Sequence, residues 1–441
     1  RFLARHGAEI RVTDVQDETS LAGALAELKD LPIQYTLGRH DEADFTWAEI
    51  VVRNPGVPRE SSWLELARRS GAQVEMEMTL FFRFCRAPII GVTGTKGKTT
   101  TSAIISSILR QRWPDAVMAG NMGRTALGQL DNVRPQEPVV LEISSFQLEA
   151  LDEQGLSPHV AVLTNISEDH LDRYPSFDDY ADVKASIYRH QRASDWAVYP
   201  RDDALLGDRL RSVEGQPATF GISVTDADHA LWVENDRFAG RWGGSKVDLG
   251  PVNNLPIPGN HSRLNALAAC AATLAAGVAP DEIRAGLSAA EPVPNRLELI
   301  ATVDGVDYIN DTTATTPAAT VAALGAFGDR EIIAIAGGSE KRVSLVPLAD
   351  SLVRRAGRVV LLDGKATPGL LNLLRERGYD TIDGPAGSMD EAVRLASQAA
   401  GAGSVVLLSP GCASFGMFRN EFHRGDAFRE AVARLKDKVD S

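Results

Sequence analysis

Short apolar runs alternate with longer amphipathic stretches along almost the whole chain. The opening RFLARHGAEIRVTDV reads as the end of a helix, a break at Gly7, and a strand from Ile10 to Val12 that runs into Asp14. The same rhythm continues through a helix over Leu21–Leu28 and a strand over Glu49–Val52 that stops at the turn Asn54-Pro55-Gly56. A helix over Trp63–Ser70 follows, ended by Gly71. Strands alternating with helices predict a parallel, wound sheet. The opening is then the second half of a βαβ unit, whose first strand and glycine-rich turn are expected upstream of Arg1.

A second run starts at the apolar strand Ile89–Val92 and passes through a Gly/Thr/Lys loop into a helix over Thr99–Leu109. Strands at Val139–Ile143 and His159–Leu163 and a helix from Phe177 to about His190 extend it. Arg201–Pro258 is more broken, with a strand-like piece at Ala230–Val233, before a helix over Ser262–Ala276. Two prolines in Glu291-Pro292-Val293-Pro294 forbid helix and mark a hinge. Beyond it strands are expected at Asp307–Ile309, Glu331–Ala336, Arg358–Leu362 and Ser404–Leu408. The pattern thus divides into three α/β units, 1–87, 88–292 and 293–441, and 441 residues suit that number.

Composition narrows the function. Hydrophobic residues make up 44%, enough for ordinary cores, and the richest apolar run, Ala266–Val278, is too short to span a bilayer. The expectation is therefore no membrane partner. A net charge of −13 argues against nucleic acid. Cys85, Cys270 and Cys412 are scattered and odd in number, which fits no disulfide framework and suits a reducing cytoplasm.

The segment Gly94-Thr95-Lys96-Gly97-Lys98-Thr99-Thr100 stands between an apolar strand and a helix. There glycines let backbone N–H groups curl around phosphate oxygens, and the helix turns its positive end toward them. Lys98 can reach the β- and γ-phosphates, and the Thr99 hydroxyl can hold Mg²⁺. Gly91 lies one position too early for the general template, so the loop is a variant. Glu142 and His170 follow strands, where a carboxylate and an imidazole can hold a metal that bridges phosphates. Each alone also suits a helix cap or a satisfied polar group. On the residues alone Lys184 reads equally as a solvated helix lysine. The small, hydroxyl-bearing segment Ser409–Phe415 either holds a carboxylate or is an ordinary loop.

Seven segments in this order resemble the Mur ligase family: GTKGKTT at 94–100, GNMG at 120–123, LEISSFQLE at 141–149, TNISEDHLDRYPSFDDYADVK at 164–184, PNRLE at 294–298, NDTTATTP at 310–317, and LSPGCASFGMFRNEFHRG at 408–425. LEISSFQLE and SPGCASF point to the glutamate-adding branch. The resemblance implies three domains: a Rossmann-like one for the UDP end of the substrate, a central ATP- and Mg²⁺-binding one, and a Rossmann-like one that closes over the site. It implies that ATP phosphorylates the carboxylate of UDP-N-acetylmuramoyl-L-alanine and that the amine of D-glutamate then displaces phosphate. A sibling that adds L-glutamate, and a non-ligating ATP-binding switch, are the alternatives.

Under the resemblance, Gly94–Thr100 wraps the ATP phosphates, Thr99 and Glu142 hold one Mg²⁺, and His170 with a carbamylated Lys184 holds a second. Asn121 and Ser144 would contact the muramoyl-alanine part, and Arg296 and Asp311 would clamp ATP. Glutamate would meet Thr315, Lys341, Ser414 and Phe415. Asp14, Asn54 and Gly56 fall where the family handles uridine, and a monomer is expected. Three positions depart from the family pattern: Thr313 stands for a lysine, Ser262 for an asparagine, and Glu421 for a phenylalanine.

Overall fold

In the computed structural model, residues 1–121, 125–169, 173–203, 205–206, 209–210, 213–257, 259–340 and 343–439 are described. The chain forms two compact units. One comprises residues 1–250 with 267–286, the other residues 251–266 with 287–441.

The first unit opens with β1 (Ile10–Asp14), β2 (Ile33–Leu37), β3 (Ile50–Arg53) and β4 (Gln73–Met76). They form two separate parallel pairs, β1 with β2 and β3 with β4, rather than one continuous wound sheet. β1 and β3 share no ladder, and Ile50 and Val52 on β3 stay exposed. Helix Glu77–Phe84 ties this stretch to the next: the Glu77 carboxylate accepts from the Leu127 amide, and Arg83 donates to Gln154 Oε1 at 2.5 Å.

The larger sheet of this unit contains β5 (Ile89–Thr93), β6 (Met118–Gly120), β7 (Val139–Glu142), β8 (Val160–Leu163), β9 (Trp196–Pro200), β10 (Gln216–Phe220), β11 (Ala230–Glu234), β12 (Arg237–Trp242) and β13 (Ser245–Pro251). Their order is β13-β12-β11-β10-β9-β8-β5-β7-β6. β5, β7 and β8 are buried along their full length, as expected of a parallel sheet covered on both faces. Gly91 lies in the middle of β5, where an added Cβ would come within 2.7 Å of Pro158 and 2.9 Å of Ile143. It is therefore a packing residue and lies outside the phosphate loop, which explains the spacing that departs from the template. The helix expected to reach about His190 ends at Ala185 and tightens into a 3₁₀ turn over Ser186–Tyr188.

The second unit is built on β14 (Glu298–Val303), β15 (Val306–Asn310), β16 (Ile332–Gly337), β17 (Ala356–Leu362), β18 (Ile382–Ala386) and β19 (Val405–Leu408). They are ordered β14-β15-β19-β16-β17-β18, parallel except for the β14–β15 hairpin. Alternate residues of β16 serve opposite faces. Ile332, Ala334 and Ala336 join one core, and Ile333 and Ile335 join the other.

Candidate functional site

The site of the first unit gathers where the strand order reverses around β5, at the carboxyl ends of β5, β7 and β8, which is where open α/β sheets bind ligands. β5 ends at Thr93 and helix Lys98–Arg112 starts behind Gly97, which caps it at φ 85°. Gly94 (φ 145°) packs so tightly that an added Cβ would lie 2.0 Å from Thr164 Oγ1.

The segment after β8 holds the loop in shape. The Thr95 amide donates to the Asn165 carbonyl at 2.9 Å, and the Lys96 amide donates to Asn165 Oδ1 at 3.0 Å. The Lys96 carbonyl accepts from Thr164 Oγ1 (2.6 Å) and from Asn165 Nδ2 (2.9 Å). Thr95 is buried, and its hydroxyl meets Tyr180 at 3.2 Å and the Ser167 backbone at 3.0 and 3.1 Å. Lys98 Nζ lies across its own loop, donating to the carbonyls of Gly94 (2.9 Å) and Thr95 (3.2 Å). Lys96 Nζ pairs with Asp169 at 3.2 Å. Thr99 and Thr100 occupy the first turn of the helix, half-buried beside this loop.

Two ionisable groups sit beneath the loop. Glu142 is buried at the end of β7; its Oε1 accepts from Asn121 Nδ2 at 3.1 Å, and its Oε2 has no hydrogen-bond partner among the described residues. A buried carboxylate oxygen without a partner is costly unless a cation sits there. Lys184 is also buried, donating from Nζ to Thr93 Oγ1 at 3.1 Å. Burial first, and then the Lys98 ammonium, hold its amine well below the usual lysine range, while Asp169 and Glu142 act in the opposite sense. The helix lysine of the sequence reading is thus an interior residue, drawn into one electrostatic cluster with Lys98 and Glu142. His170 and Lys341 lie outside the described residues. Among the described residues no group of three His, Cys, Asp or Glu is arranged to hold a metal.

The remaining expected contacts of this unit carry local structure. Ser144 caps helix Ser145–Glu153, its Oγ accepting from the Gln147 amide at 3.3 Å while Gln147 Oε1 accepts from the Ser144 amide. Asp14 Oδ1 accepts from the Gln16 amide and Asn54 Oδ1 from the Gly56 amide, each at 2.8 Å. They stand on different strand pairs, β1 with β2 and β3 with β4.

In the second unit Asp311 is buried just past β15. Its Oδ2 accepts from Ser409 Oγ at 2.7 Å, and its Oδ1 accepts from the Leu297 amide at 3.3 Å. Burial outweighs these donors and the attraction of Arg296 and Arg424, and pushes its carboxyl up to about 7. Arg296 is half-buried beside it. Arg424 is fully buried, donating from Nη2 to the Thr312 carbonyl (2.8 Å) and from Nη1 to the Cys412 carbonyl (3.2 Å). The Thr315 amide closes a tight turn on the Thr313 carbonyl at 2.9 Å. Ser414 is buried, Phe415 is exposed, and the Ser339 hydroxyl donates to the Phe415 carbonyl. Thr313, in the family's lysine position, donates its hydroxyl to the Asn295 carbonyl at 2.9 Å.

Sequence reasoning missed Thr164, Asn165, Asp169 and Tyr180 as loop partners, although Thr164–Asp169 directly follows an apolar strand. It also missed Arg424, which nothing in the local pattern separates from a surface arginine.

Residues 92–273 match the Mur ligase middle domain, and residues 295–412 match the Mur ligase glutamate ligase domain. A protein of Roseiflexus sp. (strain RS-1), named UDP-N-acetylmuramoylalanine--D-glutamate ligase, is 46% identical over 98% of this chain and 94% of its own length. The chain belongs to the Mur ligase family. A protein of the same name from Geobacter metallireducens is 39% identical over 99% of this chain and 94% of its own. A MurF crystal structure from Acinetobacter baumannii covers 98% of this Mur ligase and 92% of that chain, with TM-score 0.64 and 20% identity, a likeness of fold. The chain is thus an ATP-dependent carboxylate–amine ligase.

Proposed function

We propose that this Mur ligase adds D-glutamate to UDP-N-acetylmuramoyl-L-alanine in peptidoglycan precursor synthesis, acting in the cytoplasm as a monomer. The reading is supported by relatives of that name that match nearly the full chain, and the single observation that carries it is the cluster of half-buried Lys98 with buried Lys184 and Glu142. Among the described residues no helix is long and apolar enough to cross a membrane. Residues 1–87 would bind the UDP end through Asp14, Asn54 and Gly56. Residues 88–292 would bind ATP and the muramoyl-alanine part, the latter through Asn121 and Ser144. Residues 293–441 would present Arg296 and Asp311 to ATP, and Thr315, Ser414 and Phe415 to glutamate.

The chemistry asks for cations between anions. The γ-phosphoryl group passes to the substrate carboxylate and ADP leaves. The glutamate amine then attacks the acyl carbon, phosphate departs with its bonding pair, and the amine loses a proton. Lys98 leaves its loop carbonyls for the phosphates and neutralises charge that develops on transfer. Glu142, whose Oε2 has no partner among the described residues, and the Thr99 hydroxyl would hold Mg²⁺. Mg²⁺ supplies charge neutralisation and alignment of the phosphate oxygens. The depressed Lys184 amine is suited to react with CO₂, since only a neutral amine can attack it; the carbamate that forms, with loss of a proton, is a second carboxylate-like ligand. His170 would complete that second site.

The test is phosphate release from ATP and Mg²⁺ with UDP-N-acetylmuramoyl-L-alanine, comparing D-glutamate, L-glutamate and no amino acid. Release that depends on D-glutamate is expected. Release with L-glutamate alone would make it a sibling of altered specificity, and release with neither would leave a non-ligating ATP-binding protein.

A further inference from the structure

Glu149, in helix Ser145–Glu153, is buried, and side chains from two separate stretches converge on its carboxylate. The Tyr174 hydroxyl donates to Oε1 at 2.8 Å. Arg53 and Arg173 each hold an Nη2 3.9 Å from Oε2, inside the range of charge attraction but beyond hydrogen-bond reach. Neither Glu149 Oε2 nor Arg53 Nη2 has a hydrogen-bond partner among the described residues. The buried Arg53 guanidinium also donates from Nη1 to the Val57 carbonyl at 2.9 Å. It thereby braces the turn Asn54-Pro55-Gly56. Arg173 reaches the same stretch, donating to Glu60 at 3.5 Å.

Tyr174 carries the contact onward. Its ring lies 5.3 Å from that of Tyr180, and the Tyr180 hydroxyl meets Thr95 Oγ1, inside the phosphate loop, at 3.2 Å. Glu149 therefore stands between the turn after β3 and the loop after β5. Among the described residues β3 pairs with β4 alone, and no ladder joins it to β5. Side chains have to set the register between the two. A buried carboxylate facing two guanidiniums adds little stability over apolar groups of the same volume, because desolvation offsets the attraction. What it adds is sensitivity to position, since attraction in a poorly solvated site changes steeply as the gap closes.

We propose that Glu149 is a positioning residue that couples the nucleotide-sugar end of the site to the phosphate loop. When the turn 54–57 settles on the UDP end, Arg53 and Arg173 close on Glu149, and Tyr174 is held against Tyr180 and Thr95. The inference rests on the reading above that places the UDP end at Asn54 and Gly56. Closing the two 3.9 Å gaps is a contact made in one state and not in the other, which linkage between two ligands requires. Glu149 does this without touching either ligand.

The experiment titrates a non-hydrolysable ATP analogue with Mg²⁺ into the full chain by calorimetry, with and without saturating UDP-N-acetylmuramoyl-L-alanine. The wild-type chain is compared with Glu149→Gln, Arg53→Met and Arg173→Met. Glu149→Gln keeps an acceptor for Tyr174, and the two methionines keep the apolar stems, so thermal unfolding should find all three folded. The wild-type chain should bind the analogue about fivefold to a hundredfold more tightly when the nucleotide sugar is present. That ratio should fall toward one in each variant, while the Kd of the analogue alone stays near the wild-type value. A merely structural role would instead weaken the analogue alone and leave the ratio unchanged. No coupling in the wild-type chain, or a wild-type ratio in any folded variant, would overturn the inference while leaving the ligase reading intact. The half-buried Arg173→Met decides the matter where the two buried positions do not fold. A wild-type chain that does not bind the nucleotide sugar would remove that reading and the inference with it.

Discussion

Asp311 and Lys184 are buried groups whose charge states the interior opposes, and each gives a measurable consequence. An acid whose carboxyl is raised in the folded state binds its proton more tightly there than in the unfolded chain. The stability it lends is complete below the ordinary value of 3.8 and declines as pH rises through about 7. That decline approaches about 1.4 kcal/mol for each pH unit of the window. Denaturant titrations across this range should show it in the wild-type chain and not in Asp311→Asn, which would be the more stable of the two at pH 8. Equal slopes would show that Asp311 is charged throughout. Lys184→Ala should lose turnover and regain part of it with millimolar formate or acetate, because a small carboxylate can occupy the place of a carbamate. Full activity without the added anion would leave Lys184 a packing residue. Sequence alone could name Lys184 but not bury it: helix periodicity leaves a lysine polar by default, and only the tertiary fold brings it beneath Thr93.

At the scale of elements, strand–loop–helix order made the phosphate loop legible, because an apolar strand before a glycine-rich turn admits few other structures. The strand order of the second unit was harder to see. It depends on which strands lie side by side, and local pattern says nothing of lateral order. β2 and β10 were missed because IQYTL has only half-buried and exposed positions and QPATF mixes exposed and buried ones, neither with clean alternation. The continuous wound sheet expected before residue 88 is instead two strand pairs. Ser144 shows how one residue can serve an element. As the cap of helix Ser145–Glu153 it should cost about 1 kcal/mol of stability when changed to Ala. Urea unfolding measures that loss, and the KM for the muramoyl substrate measures any contact beyond it. A KM effect without loss of stability would make Ser144 a binding residue first.

For the whole molecule, the acidic balance and the absence of a long apolar run narrowed the candidate classes before any motif was read. Pattern and proline content suggested three units, and residues before Pro88 lie in the same compact unit as the phosphate loop. The bonds responsible, such as Arg83 to Gln154, join residues 71 positions apart, a range that sequence rhythm cannot reach.

The 2.0 Å between Thr164 Oγ1 and a side chain at 94 also restricts how this loop can change through mutation. Any side chain added at 94 to crowd an inhibitor seated against Gly94 collides with Thr164. Trimming Thr164 first would remove the hydroxyl that holds the Lys96 carbonyl and slacken the loop. Neither order of the two changes passes through a working intermediate. The glycine and the threonine are therefore locked to each other, and resistance by added bulk at position 94 is closed to a single step.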